Sequence, residues 1–244
     1  MSYLRSFTPA EEGTAGTVVV FPQSGAGCLR LRALAPALPS GLRLLGVQLP
    51  GREDRLQDPP ASGLSEVVDH LSAELRELPS HRPPAFLGLS LGAIIAFEVA
   101  RRLESEGVAP RSLLVAAARS PEYWRDFPAA DPPLAELTAL LPPAVRGSGL
   151  ADYALATMRA DLRLMADYRV PSAPLTGTPL RSVSGRHDDI VTTEQMSGWQ
   201  ERSTDYRGHH MIDADHHHLM DQEVLIGLLS DAAFETAPGG AVRR

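Results

Sequence analysis

The sequence predicts an α/β fold: a mostly parallel central sheet flanked by helices, broken late in the chain by a helical insertion. Three observations carry this expectation. Short apolar runs rich in Val and Leu alternate with amphipathic stretches along most of the chain. The first run is bounded by glycine and by a proline-glycine loop, as a strand buried on both faces would be. With 244 residues, the chain suits one domain that buries its own core without disulfides or metal.

The elements follow in order. Thr17 to Phe21 reads as the first buried strand. Leu29 to Leu38 reads as a helix, and Leu42 to Leu49 as a strand stopped by Pro50 and Gly51. Leu64 to Leu78 is a helix with Val67, Val68, Leu71 and Leu75 on one side. Ala85 to Leu89 is a strand, Leu91 to Leu103 a helix, and Ser112 to Ala117 a strand. Leu180 to Ser184 is a strand, Glu194 to Gln200 a short helix, Thr204 to Ile212 a strand, and His217 to Phe234 the closing helix. Residues 121–179 interrupt this alternation. They are proline-rich, yet Leu155, Met158, Leu162 and Met165 repeat at helical spacing. Either a helical lid over an apolar substrate channel, with Met158, Leu162 and Met165 facing substrate, or an ordinary extra core helix is expected there. Residues 1–15 and 237–244 are expected to be flexible ends of this single domain.

Composition removes several chemistries. The 23 basic residues are all arginine, so Schiff-base, P-loop and Ser-Lys mechanisms are excluded. The single Cys28 forms no intramolecular disulfide and no multi-cysteine metal site. A net charge of −7 and a pI of about 5.6 argue against nucleic acid and anionic membranes as partners. Ser2 and Tyr3 follow Met1 with no long apolar run, so no leader or membrane span is expected. A cytoplasmic monomer without cofactor or metal is the expectation.

Gly88-Leu89-Ser90-Leu91-Gly92 has the form G-x-S-x-G, with a strand before it and a helix after it. This is the setting of a nucleophile elbow. The two glycines let strand and helix backbones approach, and the helix N-terminus favours negative charge beside Ser90. A serine hydroxyl needs a histidine base, and that base needs a carboxylate to set its tautomer. In an elbow protein both follow the serine in chain order. Asp188 and Asp189 compete for the acid, in the loop that leaves the Leu180–Ser184 strand. The base must come from His209, His210, His216, His217 or His218. The run from Asp215 to His218 stands after the last strand, where a triad histidine belongs. Neighbours in such a run rarely converge on one metal ion.

From about Thr17 to Leu229 the chain resembles stand-alone type II thioesterases of polyketide and nonribosomal peptide pathways, which are α/β-hydrolases. Phe21 to Gly27 is similar to the family's FPxAGG loop. Val47 to Leu56 resembles its QLPGRExR signature. Gly88 to Gly92 with Phe97 and Glu98 resembles its elbow, and Arg159-Ala160-Asp161-Leu162 with Tyr168 its RADF segment. The resemblance implies a catalytic triad of Ser90, Asp188 and His216. Asp188 stands three residues after Gly185, and His216 opens the family's G-H-F-F-L position. It implies an oxyanion hole made by the backbone amides of Leu91 and Ser24, with Gln23 as competitor for the latter. The implied substrate is an acyl or peptidyl thioester on the phosphopantetheine arm of a carrier protein.

Leu89, His217 and His218 depart from the family's residues, as does Ala116 to Pro121. These departures leave the triad intact and put substrate choice in question. A small-ester esterase, a chain-releasing acyltransferase or cyclase, and a non-catalytic carrier-binding protein are the rival expectations. Carrier proteins are typically acidic, so docking on this acidic chain requires a local arginine patch. Arg52, Arg55, Arg119, Arg125, Arg159 and Arg163 are its candidates.

Overall fold

The computed structural model describes residues 2–8, 14–78, 82–125, 132–221 and 223–234. Chain order runs β1 (Leu4–Ser6), β2 (Gly16–Phe21), β3 (Leu42–Val47), α1 (Leu64–Arg76), β4 (Ala85–Leu89), α2 (Leu91–Ser105) and β5 (Ser112–Ala116). There follow α3 (Leu134–Ala139), α4 (Pro143–Arg146), α5 (Ala151–Arg163), β6 (Leu180–Gly185), α6 (Thr193–Met196), β7 (Tyr206–Ile212) and α7 (Glu223–Phe234). The strands form one sheet in the order β1-β3-β2-β4-β5-β6-β7. Every neighbouring pair is parallel except β1 with β3. The expected α/β arrangement is therefore present, with helices on both faces.

The pleat explains how two cores form from continuous apolar strands. Val19 and Phe21 face one side with Leu45, Phe86 and Val115, where Val67 and Leu71 of α1 and most of α2 cover them. Val18 and Val20 face the other side with Leu44, Leu87 and Leu114, under Leu225 and Leu229 of α7. Each such side chain contributes about 1.5–3 kcal/mol relative to exposure. Together they hold the strand ends, where the polar residues gather, in fixed register.

Three differences from the sequence reading have physical causes. Leu29 to Leu38 is not one helix but two 3-10 turns, Leu29–Arg32 and Ala35–Ala37. Pro36 lacks the amide a helix would need there, and its ring opposes the carbonyl one turn back. Leu31, Leu34 and Leu38 still bury, which is what made the segment read as amphipathic. Within the stretch 1–15 read as flexible, Leu4–Ser6 pairs with β3 as an edge strand. The Glu74 carboxylate accepts from Tyr3 N at 2.7 Å and anchors it. The closing helix begins later than His217, after a 3-10 turn over Leu219–Asp221. The tail 237–244 lies outside the described residues. Helices α3, α4 and α5 occupy the connection between β5 and β6, where the helical insertion was expected.

Candidate active site

Ser90 is the single residue between β4 and α2. Its backbone sits at φ 50° and ψ −122°, a region that costs a non-glycine residue about 1–3 kcal/mol. The surroundings enforce it. Ser90 N donates to Ala116 O at 2.9 Å on the neighbouring strand, and Ala93 N donates back to Ser90 O at 3.0 Å. The flanking glycines are required by contact. A Cβ on Gly88 would lie 2.3 Å from Ala93 Cα, and one on Gly92 2.2 Å from Phe21 O and 2.4 Å from Pro22 O. These are backbone atoms that cannot swing aside. Gly92→Ala should therefore cost about 3 kcal/mol in a denaturant melt. A loss below about 1 kcal/mol would mean that the Phe21–Pro22 backbone yields to a methyl group.

The expected acid and base, Asp188 and His216, lie on the loops after β6 and β7. Gly185 closes the two loops together: a Cβ there would lie 2.3 Å from Ala214 O. Arg186 N donates to Ile212 O and His187 N to Ala214 O, at 2.8 and 3.0 Å. This close approach brings His216 onto Asp188, with His216 Nδ1 2.9 Å from Asp188 Oδ2. The other carboxylate oxygen accepts the amides of Ile190 and Val191 at 2.9 and 2.8 Å. Burial alone would raise the Asp188 carboxyl, but the His216 bond and charge and the two amides outweigh it. It is held below the usual carboxylate range, ionised and fixed. Asp189 is exposed. With Nδ1 engaged, Nε2 is the remaining ring nitrogen of His216, and the ring lines a narrow crevice together with Ser90, Gln23, Arg30 and His217. Ser90 Oγ has no hydrogen-bond partner among the described residues, as is common before substrate tightens such a site.

The other candidate histidines are placed differently. His209 on β7 uses both ring nitrogens on β6 serines, Ser182 Oγ and Ser184 Oγ, each at 2.8 Å. His210 also lies within β7. His218 Nδ1 pairs with Asp215 at 2.8 Å, and the His217 ring stands edge-on to His216 at 5.5 Å. Among the described residues no group of three His, Cys, Asp or Glu side chains is placed to hold a metal. No helix there is long and apolar enough to cross a membrane.

The family model for thioesterase domains matches residues 16–232. The chain belongs to the thioesterase family. It is a hydrolase acting on thioesters. This thioesterase is 27% identical to a probable cadicidin biosynthesis thioesterase of Streptomyces griseus, covering 96% of this chain and 68% of that protein. Among solved structures it resembles the type II thioesterase BorB of the borrelidin cluster, at 28% identity and a TM-score of 0.78. That match covers 96% of this chain and 97% of the other. It also resembles the RedJ thioesterase of the prodiginine pathway in Streptomyces coelicolor, at 26% identity and a TM-score of 0.80, over 92% and 90% of the chains.

A second cavity of about 190 Å³ is also lined by Ser90 in the thioesterase. Ser24, Ser90, Arg119 and Glu136 supply its polar lining; Leu91, Trp124, Leu137, Leu162 and Val191 are among its apolar walls. The Leu91 amide opens α2, where first-turn amides have no intrahelical acceptor and the helix dipole is positive. Ser24 shares this cavity, whereas Gln23 faces the His216 crevice.

Of the expected lid contacts only Leu162 lines this cavity. Met158 is buried among Leu137, Leu141 and Leu155. Met165 lies past the end of α5 and packs into the main core with Leu164 and Tyr168. Helical spacing identified buried residues but could not separate two different burials.

Two of the six candidate docking arginines are also corrected. Arg52 is 4% exposed and pairs with Asp161 of α5. Arg55 is 7% exposed; it pairs with Asp58 at 2.7 Å and lies 4.5 Å over the Tyr3 ring. Neither is available to a docking partner. Arg125 and Arg163 are exposed, while Arg119 and Arg159 are half-buried.

The signature around them is a framework for the Ser24 loop. Gln48 Oε1 accepts from Cys28 N at 2.9 Å, and its Nε2 donates to Glu53 and Asp54 at 2.8 and 2.9 Å. Cys28 is fully buried, and burial together with the Glu53 charge pushes its thiol up to about 12. In the sequence Asp161 and Gln48 carry no role beyond belonging to the two motifs that resemble the family. Their unusual polarity within buried segments is the signal that could have found them.

Proposed function

We propose that this thioesterase hydrolyses acyl or peptidyl thioesters from the phosphopantetheine arm of carrier proteins, through an acyl-serine intermediate. The role is release of aberrant or stalled chains, by a monomer acting in the cytoplasm. The observation that carries the reading is the buried Asp188–His216 pair beside the elbow serine. In this mechanism His216 Nε2 takes the proton of Ser90 Oγ as that oxygen attacks the thioester carbonyl. The amides of Leu91 and Ser24 receive the oxyanion. Asp188 stabilises the imidazolium, which then gives its proton to the thiolate sulfur that departs as the C–S bond breaks. Water, deprotonated by the same histidine, attacks the acyl-serine carbonyl; the imidazolium returns that proton to Ser90 Oγ as the ester bond breaks and the acid leaves. The apolar cavity takes the acyl chain, and α5 with α3 forms its lid. Arg119, Arg125, Arg159 and Arg163 remain as candidates for contact with an acidic carrier.

The test compares one acyl group on three leaving groups: a holo-carrier protein, N-acetylcysteamine and p-nitrophenol. The carrier thioester should show the highest kcat/KM, by at least about tenfold, which corresponds to 1.4 kcal/mol of recognition beyond the acyl group. A preference for the oxygen ester would replace this reading with that of an esterase. An ester or amide product in place of the free acid would make the protein an acyltransferase.

A further inference from the structure

The two signature segments meet at one buried ion pair, and the remaining contacts of that pair go to the loop carrying Ser24. Arg52 and Asp161 are 4% and 2% exposed. Arg52 Nη2 pairs with Asp161 Oδ1, and Arg52 Nη1 donates to Asp161 Oδ2 at 2.8 Å. That same Oδ2 accepts the Gly25 amide at 2.8 Å. Arg52 Nη1 also donates to Ala26 O at 3.1 Å. Asp161 therefore holds the peptide between Ser24 and Gly25, and Arg52 holds the carbonyl two residues after Ser24.

The turn transmits this grip to Ser24. Ala26 N donates to Gln23 O at 3.1 Å, closing a four-residue turn with Gly25 at its third position and φ 76°. A side chain would be strained there. In a planar trans peptide the N–H points opposite the C=O. With the Gln23 carbonyl drawn into the turn, the Ser24 N–H must point out of it. Asp161 holds the next peptide at Gly25 N and Arg52 holds the Ala26 carbonyl, so the turn that orients the Ser24 amide is anchored on its far side by this ion pair.

Stability alone is a weak reason for such a pair. Apolar replacements of buried ion pairs are often neutral or stabilising. Arg52 Nε is buried with no hydrogen-bond partner among the described residues. What the pair does supply is position. It also reaches the wall of the acyl cavity, because Asp161 is followed on α5 by Leu162. Helix α5 presses on the turn itself: a Cβ on Gly25 would lie 3.3 Å from Ala154 O and from Met158 Cβ.

We propose that Arg52 and Asp161 are positioning residues for the oxyanion site. They hold the Ser24 amide in the orientation the tetrahedral intermediate requires, and they tie it to the helix that walls the acyl cavity. This rests on the reading of Ser90 as nucleophile and Ser24 as oxyanion donor.

The test uses two double variants of the whole chain. R52M/D161L removes both charges together, so neither is left alone in the interior, and it removes the Gly25 acceptor. R52M/D161N removes the same charges but keeps an amide oxygen for Gly25. Two quantities are read per titrated active site: kcat and KM for a thioester, and the maximal rate and binding constant for labelling of Ser90 by a fluorophosphonate. Labelling develops charge on a phosphoryl oxygen at the same amides and needs no thioester. R52M/D161L should lose about 100-fold in kcat and in maximal labelling rate, with KM and probe binding little changed. R52M/D161N should recover most of that loss. Equal rates in the two variants, or a lowered melting temperature with wild-type rates per site, would overturn the proposal. If R52M/D161L does not fold, Arg52→Lys is read in the same way. It keeps the charge but cannot reach Asp161 and Ala26 with one planar fork, and unchanged rates there would equally overturn it. A wild-type chain that labels at Ser90 but cleaves no thioester would instead remove the proposed function and leave the labelling comparison intact.

Discussion

Replacing Ser90 with alanine is expected to lower kcat for thioester hydrolysis by roughly 10⁴- to 10⁶-fold, with the fold unchanged. Alanine fits the site because the elbow is held by its backbone. The Ser90 amide and carbonyl make the contacts to Ala116 and Ala93, and its hydroxyl makes none among the described residues. Removing the hydroxyl should also relieve no strain, since φ 50° is imposed from outside the side chain. Thermal melting should therefore match that of the wild type while acyl-enzyme formation disappears. The check is mass spectrometry of the intact chain after mixing with an acyl thioester, alongside turnover. An acyl adduct on the Ser90→Ala chain would place the nucleophile elsewhere.

The second large effect is expected from Asp188→Asn, at about 10⁴-fold in kcat. The amide would still accept from Ile190 and Val191 through one oxygen. Its nitrogen, however, would face His216 Nδ1 as a donor and force the proton onto Nε2, the wrong tautomer for a base. Asp189→Asn, changing an exposed neighbour, should leave kcat unchanged. The same pair has a pH signature in stability. The folded-state pKa of Asp188 is depressed, so its ionisation stabilises the fold fully above the unfolded value near about 3.9. That contribution is lost as the pH falls through the lower folded value. Denaturant melts of wild type and Asp188→Asn should differ by a constant amount at neutral pH and converge only below about pH 4. Loss of the difference already at pH 6 would mean that the carboxylate is not held in this way.

How much of this was legible in the sequence depends on the range of the interaction concerned. The elbow was legible because its requirements are local: two glycines, a serine, a strand before and a helix after. The choice between Asp188 and Asp189 was not open to the spacing of residues. It depends on Gly185 lying against Ala214, a contact between loops that leave different strands. Resemblance to a family points to Asp188, and in the structure Asp188 is the one bonded to His216 while Asp189 is exposed. Arg52 reads as a surface cation because its counter-ion is 109 residues away in α5. Met165 continues the spacing of Met158 and Leu162, but α5 ends at Arg163, so the helical rule no longer aims it. Leu29 to Leu38 had the right period and one disqualifying residue, Pro36.

The sealed thiol of Cys28 has a consequence for an enzyme whose leaving group is itself a thiol. Each turnover liberates a sulfhydryl that, once oxidised, would exchange with any accessible thiolate it met. The only cysteine of the chain is fully buried, and its proton is held to about pH 12. It therefore offers no thiolate for mixed-disulfide formation. The catalyst is chemically deaf to the redox state of its own product, and its activity should be indifferent to the balance of thiols and disulfides around it.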